Sequence, residues 1–183
     1  MKYTRLDLEG VWLMEPVRYG DARGYFCETF RARDFLDATG LCTDFVQDNE
    51  SLSRRGVVRG LHYQLGEHSQ GKYVRVTVGR IVDVVVDLRR SSPTFGRHVA
   101  VELSADNGLQ LFIPRGFAHG FAVLSETAKF EYKTDNYYCP EAERCIRFDD
   151  PDLAIEWPLK REEMILSDKD LAGTAFADAE VYD

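Results

Sequence analysis

The chain has 183 residues, and its apolar content of 44% is ordinary for one globular domain. Its net charge of −8, from 23 basic and 31 acidic side chains, argues against nucleic acid or an anionic membrane surface as the main partner. No segment is long and apolar enough to cross a bilayer, and residues 1–7 lack the apolar core of a signal peptide. We therefore expect a cytoplasmic protein, with reduced thiols at Cys27, Cys42, Cys139 and Cys145, which form no Cys-x-x-Cys pair.

Short strands separated by turns dominate the predicted elements, and helices are few. A short helix is predicted over residues 32–39, and a second near 161–164. Strands are predicted, in chain order, at 57–64, 72–78 and 81–87 and near 99–103, 109–113, 119–123 and 129–134, with a loop at 91–96. Many short strands with few helices predict a mainly β fold, and we favour a double-sheet jelly-roll barrel that spans 1–183 as one domain.

For two predicted strands, the sequence pattern indicates which faces are buried. In 72–78, one face carries Val74, Val76 and Val78, and the other carries Tyr73, Arg75 and Thr77. The strand 81–87 is rich in β-branched residues and apolar on both faces, so it should be buried.

Two of the four histidines lie in predicted strands and close to basic residues. His62 follows Arg59, and His119 follows Arg115. Histidine exchanges protons near neutral pH, because its unperturbed pKa is about 6.5. A cluster of cations in the same part of the chain suits a phosphorylated ligand: Arg54, Arg55, Arg59, Lys72 and Arg75. The pattern predicts proton transfer on a small anionic molecule.

Period-2 alternation predicts which side chains share a strand face with the polar residues. The predicted sets are His62 with Val58, Gly60 and Gln64; His119 with Phe121 and Val123; and Tyr132 with Phe130 and Thr134. If these faces point into the barrel, the three polar side chains line one cavity.

Ordered motifs across the chain resemble one enzyme family. They are Asp21-Ala22-Arg23-Gly24-Tyr25-Phe26-Cys27-Glu28, Gln47-Asp48-Asn49-Glu50-Ser51, Arg59-Gly60-Leu61-His62-Tyr63-Gln64, Gln70-Gly71-Lys72, Pro114-Arg115-Gly116-Phe117-Ala118-His119-Gly120-Phe121, Tyr132-Lys133 and Ser167-Asp168-Lys169-Asp170. Over about residues 5–176 the sequence is similar to the dTDP-4-dehydrorhamnose 3,5-epimerases. The resemblance implies a cupin-type jelly roll, a homodimer, and conversion of dTDP-4-keto-6-deoxyglucose to dTDP-4-keto-rhamnose. It implies no cofactor and no metal, and the chain has no Gly-rich dinucleotide fingerprint.

The resemblance also implies catalytic roles. His62 is the base, and Asp170 is its partner, fixing the imidazole tautomer. Tyr132 is the acid on the opposite face of the sugar. Lys72 stabilises charge on the C4 oxygen, and His119 hydrogen-bonds near that oxygen or orients the sugar.

The remaining family positions imply contacts to the nucleotide sugar. Arg23 and Arg59 suit the pyrophosphate, because guanidinium groups offer forked donors to phosphate oxygens. The other substrate-binding positions are Glu28, Gln47, Asn49, Glu143 and Lys169, with Tyr19 and Tyr138 as candidates for stacking on thymine. The N-terminal positions are candidates for contacts supplied by a partner subunit. Structural roles are expected for Asp83, Asp87, Trp12 and Trp157.

Three alternatives stay open. A relative that epimerises one carbon, or uses another nucleotide-linked 4-keto sugar, would carry the same base, acid and lysine. A metal-dependent cupin is suggested by Pro114-x-Gly116-x-x-His119, but the usual His-x-His is replaced by His62 and Gln64. A non-catalytic sugar-binding cupin would not need a base paired with an acid.

Overall fold

Thirteen strands and two short α-helices form the fold in residues 1–42 and 44–183, which the computed structural model describes. The strands are β1 Lys2–Arg5, β2 Trp12–Glu15, β3 Arg18–Asp21, β4 Gly24–Cys27, β5 Gln47–Arg54, β6 Val58–Gln64, β7 Lys72–Val78, β8 Arg80–Asp87, β9 His98–Ser104, β10 Gln110–Ile113, β11 Phe117–Val123, β12 Thr127–Thr134 and β13 Glu143–Cys145. The helices are α1 Ala32–Thr39 and α2 Asp168–Leu171, and 3₁₀ turns cover Gly66–His68, Pro140–Ala142, Arg161–Glu163 and Phe176–Asp178.

Two antiparallel sheets stack to form the barrel. One has the order β1-β2-β10-β7-β12-β5, and the other has the order β13-β6-β11-β8-β9. The main core combines side chains of both, including Val74, Leu111 and Phe130 from the first sheet and Val85 and Phe121 from the second. The predicted mainly β jelly roll is therefore confirmed. A separate hairpin joins β3 to β4 outside both sheets.

Most predicted elements appear where the sequence indicated. The strand at 81–87 is buried on both faces, and helix α1 has the predicted bounds. The expected helix near 161–164 is a 3₁₀ turn, Arg161–Glu163, and α2 was not predicted. In the described part of the chain, no helix has the length and apolar character needed to cross a membrane, and the four cysteines are free thiols.

The predicted face of β6 is wrong on the N-terminal side of His62, because the register of this strand against β11 shifts near Gly60, whereas Gln64 lines the cavity with His62 as predicted. His62 pairs with His119, but Arg59 pairs with Phe121, so the two strands differ by one residue between these pairs. His62 consequently shares the interior side with Arg59, whereas Val58 packs in a separate outer cluster. Gly60 has φ +122°, and a Cβ there would lie 2.5 Å from Gly120 Cα, so this close strand crossing requires glycine.

Candidate active site

A cavity of about 380 Å³ opens between the two sheets. Strands β5, β6, β7, β11, β12 and β13 and helix α2 all contribute to its wall. His62, His119 and Tyr132 line it, as predicted, together with Lys72 and Asp170. The barrel therefore gathers side chains from across the chain into one partly enclosed space.

The imidazole of His62 is held by the carboxylate of Asp170. His62 Nε2 lies 2.8 Å from Asp170 Oδ1, which also accepts a 2.9 Å hydrogen bond from the Gly60 backbone N–H. Ser167 Oγ donates to Oδ2 at 2.5 Å as part of a capping box that starts α2. Burial acts to raise the pKa of Asp170, but these hydrogen bonds outweigh it and bring the pKa to about 2. Asp170 is therefore ionised at neutral pH.

The second ring nitrogen of His62 is free. Because an ionised Asp170 accepts only, Nε2 carries the proton in the neutral ring, and Nδ1 keeps its lone pair. Nδ1 is buried and has no hydrogen-bond partner among the described residues; its closest acid, Glu143 Oε1, is 3.6 Å away. A buried lone pair beside the cavity is the arrangement that a general base requires.

Glu143 sits at the centre of a polar group beside His62. Its Oε2 accepts a 2.6 Å hydrogen bond from Tyr138 and is ion-paired with Lys169. Burial acts to raise the pKa of Glu143, but the hydrogen bonds from Lys169 and Tyr138 outweigh it and lower the pKa below its ordinary value. Tyr138, Glu143 and Lys169 thus reach the cavity together.

A cation and a second histidine lie deeper in the barrel. Burial lowers the pKa of Lys72 to about 8, partly offset by the negative charges of Asp83 and Glu143. His119 Nε2 lies 2.8 Å from Asp83 Oδ2. Desolvation lowers the pKa of His119 despite this carboxylate, so the ring is neutral at neutral pH. Because the Asp83 carboxylate only accepts, His119 Nε2 carries the ring proton and Nδ1 is an acceptor, so the Lys72 ammonium is the group of this pair that can donate to a carbonyl oxygen.

Tyr132 contributes a phenol to the same space. Burial raises its pKa, partly opposed by the positive charge of Arg59, so the hydroxyl is protonated at neutral pH. The ring packs against Phe130 at a centroid distance of 5.6 Å, and Phe130 in turn stacks on Phe121 at 4.6 Å. This apolar wall fixes the phenol and lowers the local dielectric.

The edge strand β5 and Arg59 form the outer rim. Asn49 lines the cavity and accepts a 2.9 Å hydrogen bond from Gln47, whose own amide oxygen accepts from the Tyr138 backbone N–H. Arg59 is exposed, and its guanidinium donates to Ser53 Oγ at 3.2 and 3.3 Å. These groups offer donors to an anion bound at the mouth.

Four predicted substrate-binding residues do not line the cavity of their own chain: Gln47, which is hydrogen-bonded to the lining residue Asn49, and three residues near the N-terminus. Arg23 has 89% of its side chain exposed and binds Asp21, Tyr19 is 64% exposed, and Glu28 pairs with Arg31. Tyr19 and Arg23 belong to the β3–β4 hairpin and its turn, and Glu28 directly follows β4, so all three lie on a segment outside both sheets. From the sequence, these N-terminal positions are candidates for contacts supplied by a partner subunit, and their contacts to substrate stay a prediction.

The sequence interpretation missed two functional positions. Asp83 was expected to be structural, but it is the partner of His119; a carboxylate inside an apolar strand needs such a partner, which was the available signal. Ser167 was not singled out, although the Ser-x-x-Asp spacing that precedes α2 is a capping-box pattern. Asp87, by contrast, binds Arg89, Ser92 and Thr94, away from the cavity, as a structural residue would.

Comparison with known proteins identifies the family. The family model described as dTDP-4-dehydrorhamnose 3,5-epimerase matches residues 5–178. A dTDP-4-dehydrorhamnose 3,5-epimerase of Pseudomonas aeruginosa is 55% identical over 182 residues, which cover 100% of this chain and 99% of that protein.

Two solved structures share the fold closely. The dTDP-4-dehydrorhamnose 3,5-epimerase of Elizabethkingia anophelis is 50% identical with a TM-score of 0.94, covering 97% of each chain. The dTDP-6-deoxy-D-glucose-3,5-epimerase of Legionella pneumophila, in complex with dTDP-4-keto-L-rhamnose, is 47% identical with a TM-score of 0.94, covering 98% of this chain and 94% of the other. This chain belongs to the dTDP-4-dehydrorhamnose 3,5-epimerase family.

Proposed function

We propose that this chain epimerises C3 and C5 of dTDP-4-keto-6-deoxyglucose and releases dTDP-4-keto-L-rhamnose. The observation that carries the proposal is the buried Nδ1 of His62, which has no hydrogen-bond partner among the described residues, beside a cavity that also holds the protonated phenol of Tyr132. A proton acceptor and a proton donor in one partly enclosed space are what inversion at carbon requires. A relative bound to dTDP-4-keto-L-rhamnose supports the choice of ligand.

The chemistry follows from the C4 ketone, which acidifies the C–H bonds at C3 and C5. His62 Nδ1 removes the proton, and the electron pair moves into an enolate whose oxygen carries the negative charge. The Lys72 ammonium stabilises that oxygen, and His119, whose one ring proton is donated to Asp83, orients the sugar through its Nδ1 acceptor. Tyr132 then gives its hydroxyl proton to the opposite face of the carbon, and exchange with solvent restores phenol and imidazole. Proton transfer alone completes the reaction, so we propose no cofactor.

The nucleotide is assigned to the rim of the cavity. Arg59 pairs with the pyrophosphate, because a guanidinium binds phosphate oxygens through paired donors. Asn49 and Gln47 hydrogen-bond the nucleotide, and Tyr138 stacks on thymine. Glu143 and Lys169 contact the sugar near His62, which their positions in the cavity wall support.

The single-domain chain 1–183 acts as a cytoplasmic homodimer in this proposal. The β3–β4 hairpin exposes Tyr19, Tyr25 and Phe26, which are 64%, 62% and 69% exposed. A hairpin with an apolar surface of this kind favours contact with another protein surface. A second copy would cover it and would bring Arg23, Tyr19 and Glu28 to the neighbouring cavity.

Product analysis tests the activity. Purified protein is incubated with dTDP-4-keto-6-deoxyglucose, and the configurations at C3 and C5 are read from proton couplings by NMR. Inversion at both carbons is expected; inversion at one carbon would replace the proposal with a single epimerase, and unchanged substrate would refute it.

Mixed dimers test the assembly. H62N and R23A subunits are each combined with themselves and with each other. If Arg23 serves the neighbouring cavity, one site of the mixed dimer has both intact residues, and activity returns to about half of that of the wild type. If the activity of the mixed dimer is no higher than the average activity of the H62N and R23A homodimers, the two subunits do not share a site.

A further inference from the structure

We propose that His62, Cys145 and Asp170 form a binding site for a borderline-soft divalent cation such as Zn²⁺, and that the bound cation blocks the base. The imidazole nitrogen, the thiol sulfur and the carboxylate oxygen lie within 4.8 Å of one another. Among the described residues, this is the one group of three or more His, Cys, Asp or Glu side chains with such geometry. It differs from the cupin metal positions suggested by the sequence, because Cys145 has no place in them.

The two neighbouring strands create the cluster. In the antiparallel pair β6–β13, Cys145 lies directly opposite His62, so their side chains leave the sheet on the same side. Helix α2 then brings Asp170 to within 2.8 Å of His62 Nε2. All three residues are half-buried or buried, which limits the competition of water for the cation.

The donor set suits zinc rather than magnesium or calcium. One nitrogen, one sulfur and one oxygen donor with an open fourth position match the tetrahedral preference of Zn²⁺, whereas the hard cations prefer oxygen ligands. Ligand atoms around tetrahedral zinc are separated by about 3.3–3.7 Å, given bonds of about 2.0–2.3 Å. The observed separations need only small side-chain movements to reach those values.

Cation binding would redistribute two protons. Coordination at His62 Nε2 requires its lone pair, so the ring proton moves to Nδ1 and the imidazole stays neutral. Cys145 binds as a thiolate, and its proton passes to solvent. The Nδ1 lone pair, which has no hydrogen-bond partner among the described residues, is thereby lost. The cation acts as an inhibitor and not as a cofactor.

Cadmium provides a readout of binding that does not require activity. Wild-type protein titrated with Cd²⁺ under reducing, chelator-free conditions is expected to develop a thiolate-to-cadmium ultraviolet absorption band that saturates at one equivalent. C145A should lose the band, and H62N should weaken it. C27A is the matched control, because Cys27 is also half-buried but does not belong to the cluster, and it should keep the band. A band that is absent from wild type, or unchanged in C145A, would overturn the site.

Inhibition by Zn²⁺ tests the consequence, which rests on the proposed function. C145A should retain basal epimerisation, but its half-inhibiting Zn²⁺ concentration should rise at least about tenfold, because one of three protein ligands is lost. Equal Zn²⁺ sensitivity of C145A and C27A would contradict the proposed block of the base. A Cys145-dependent cadmium band in a protein without epimerase activity would refute the proposed function and leave the metal site standing.

Discussion

His62 and Asp170 are 108 residues apart in the chain, yet Nε2 of one lies 2.8 Å from Oδ1 of the other. The Gly60 N–H and the Ser167 hydroxyl hold the carboxylate in place from the other directions. This arrangement assigns the ring proton to Nε2 and leaves Nδ1 as the atom that can accept a proton from substrate. The catalytic proposal depends on this assignment.

Removal of the base should abolish carbon-acid chemistry without unfolding the protein. H62N is expected to lower epimerisation by at least about 10²–10⁴-fold, because a positioned general base is typically worth that much. D170N should cause a smaller but large loss, since an amide no longer enforces the Nε2–H tautomer. Steady-state rates of both variants, with circular dichroism to establish folding, check this. H62N turning over at near the wild-type rate would remove His62 from the role.

Substitution of Tyr132 should separate proton removal from inversion. Y132F deletes one oxygen and keeps the packing against Phe130, so the fold should not change. If Tyr132 returns the proton, the variant still exchanges substrate protons with solvent through His62 but forms little inverted product. NMR in deuterated water measures both the exchange of substrate protons and the yield of inverted product. An unaltered product yield in Y132F would show that Tyr132 is not the acid.

The charge of Lys72 should define the alkaline limit of activity. Its pKa of about 8 means that the ammonium is present below that pH and is lost above it, while the raised pKa of Tyr132 keeps the phenol protonated. We expect kcat/KM to fall about tenfold per unit above pH 8. In K72R the guanidinium stays charged, so the fall in kcat/KM should move to higher pH. The same pH dependence in K72R and the wild type would mean that another group causes the fall.

Nucleotide affinity should depend on Arg59 far more than on its neighbours. R59A removes a cation at the cavity rim and is expected to weaken dTDP binding about 100-fold. R54A is the matched control, because Arg54 is also exposed but does not line the cavity, and its loss should change binding little. R55A should behave like R54A. Calorimetric titration with dTDP compares the three, and equal small effects would mean that the pyrophosphate site is misplaced.

Hydrophobic periodicity predicted the elements whose apolar side chains pack in the core. The strand 81–87 is apolar on both faces and is buried except at Val82, which is half-buried, and the short helix at 32–39 buries Phe35 against the aromatic cluster that contains Tyr73. Strand β5 was missed because its sequence, Gln47–Arg54, is polar on both faces and its strand conformation is imposed by pairing with β12.

The errors in the site have physical causes that lie outside local sequence. Strict alternation placed His62 beside Val58, but the register shift at Gly60 put Arg59 on the cavity side instead. The family motifs could name Arg23 but could not place it, because the position of a projecting hairpin depends on what it packs against. The Asp83–His119 contact depends on the pairing of β8 with β11, which a single strand pattern does not reveal.

Solvent exchange at the sugar carbons is the most direct measure of whether His62 removes the protons at both C3 and C5. The wild-type protein is incubated with dTDP-4-keto-6-deoxyglucose in deuterated water, and the sugar is followed by NMR. With the wild-type protein, both C3 and C5 are expected to gain deuterium with inversion, whereas H62N is expected to incorporate it at neither carbon. Deuterium at one carbon alone, or inversion in H62N at the wild-type rate, would contradict a double epimerisation that begins at His62.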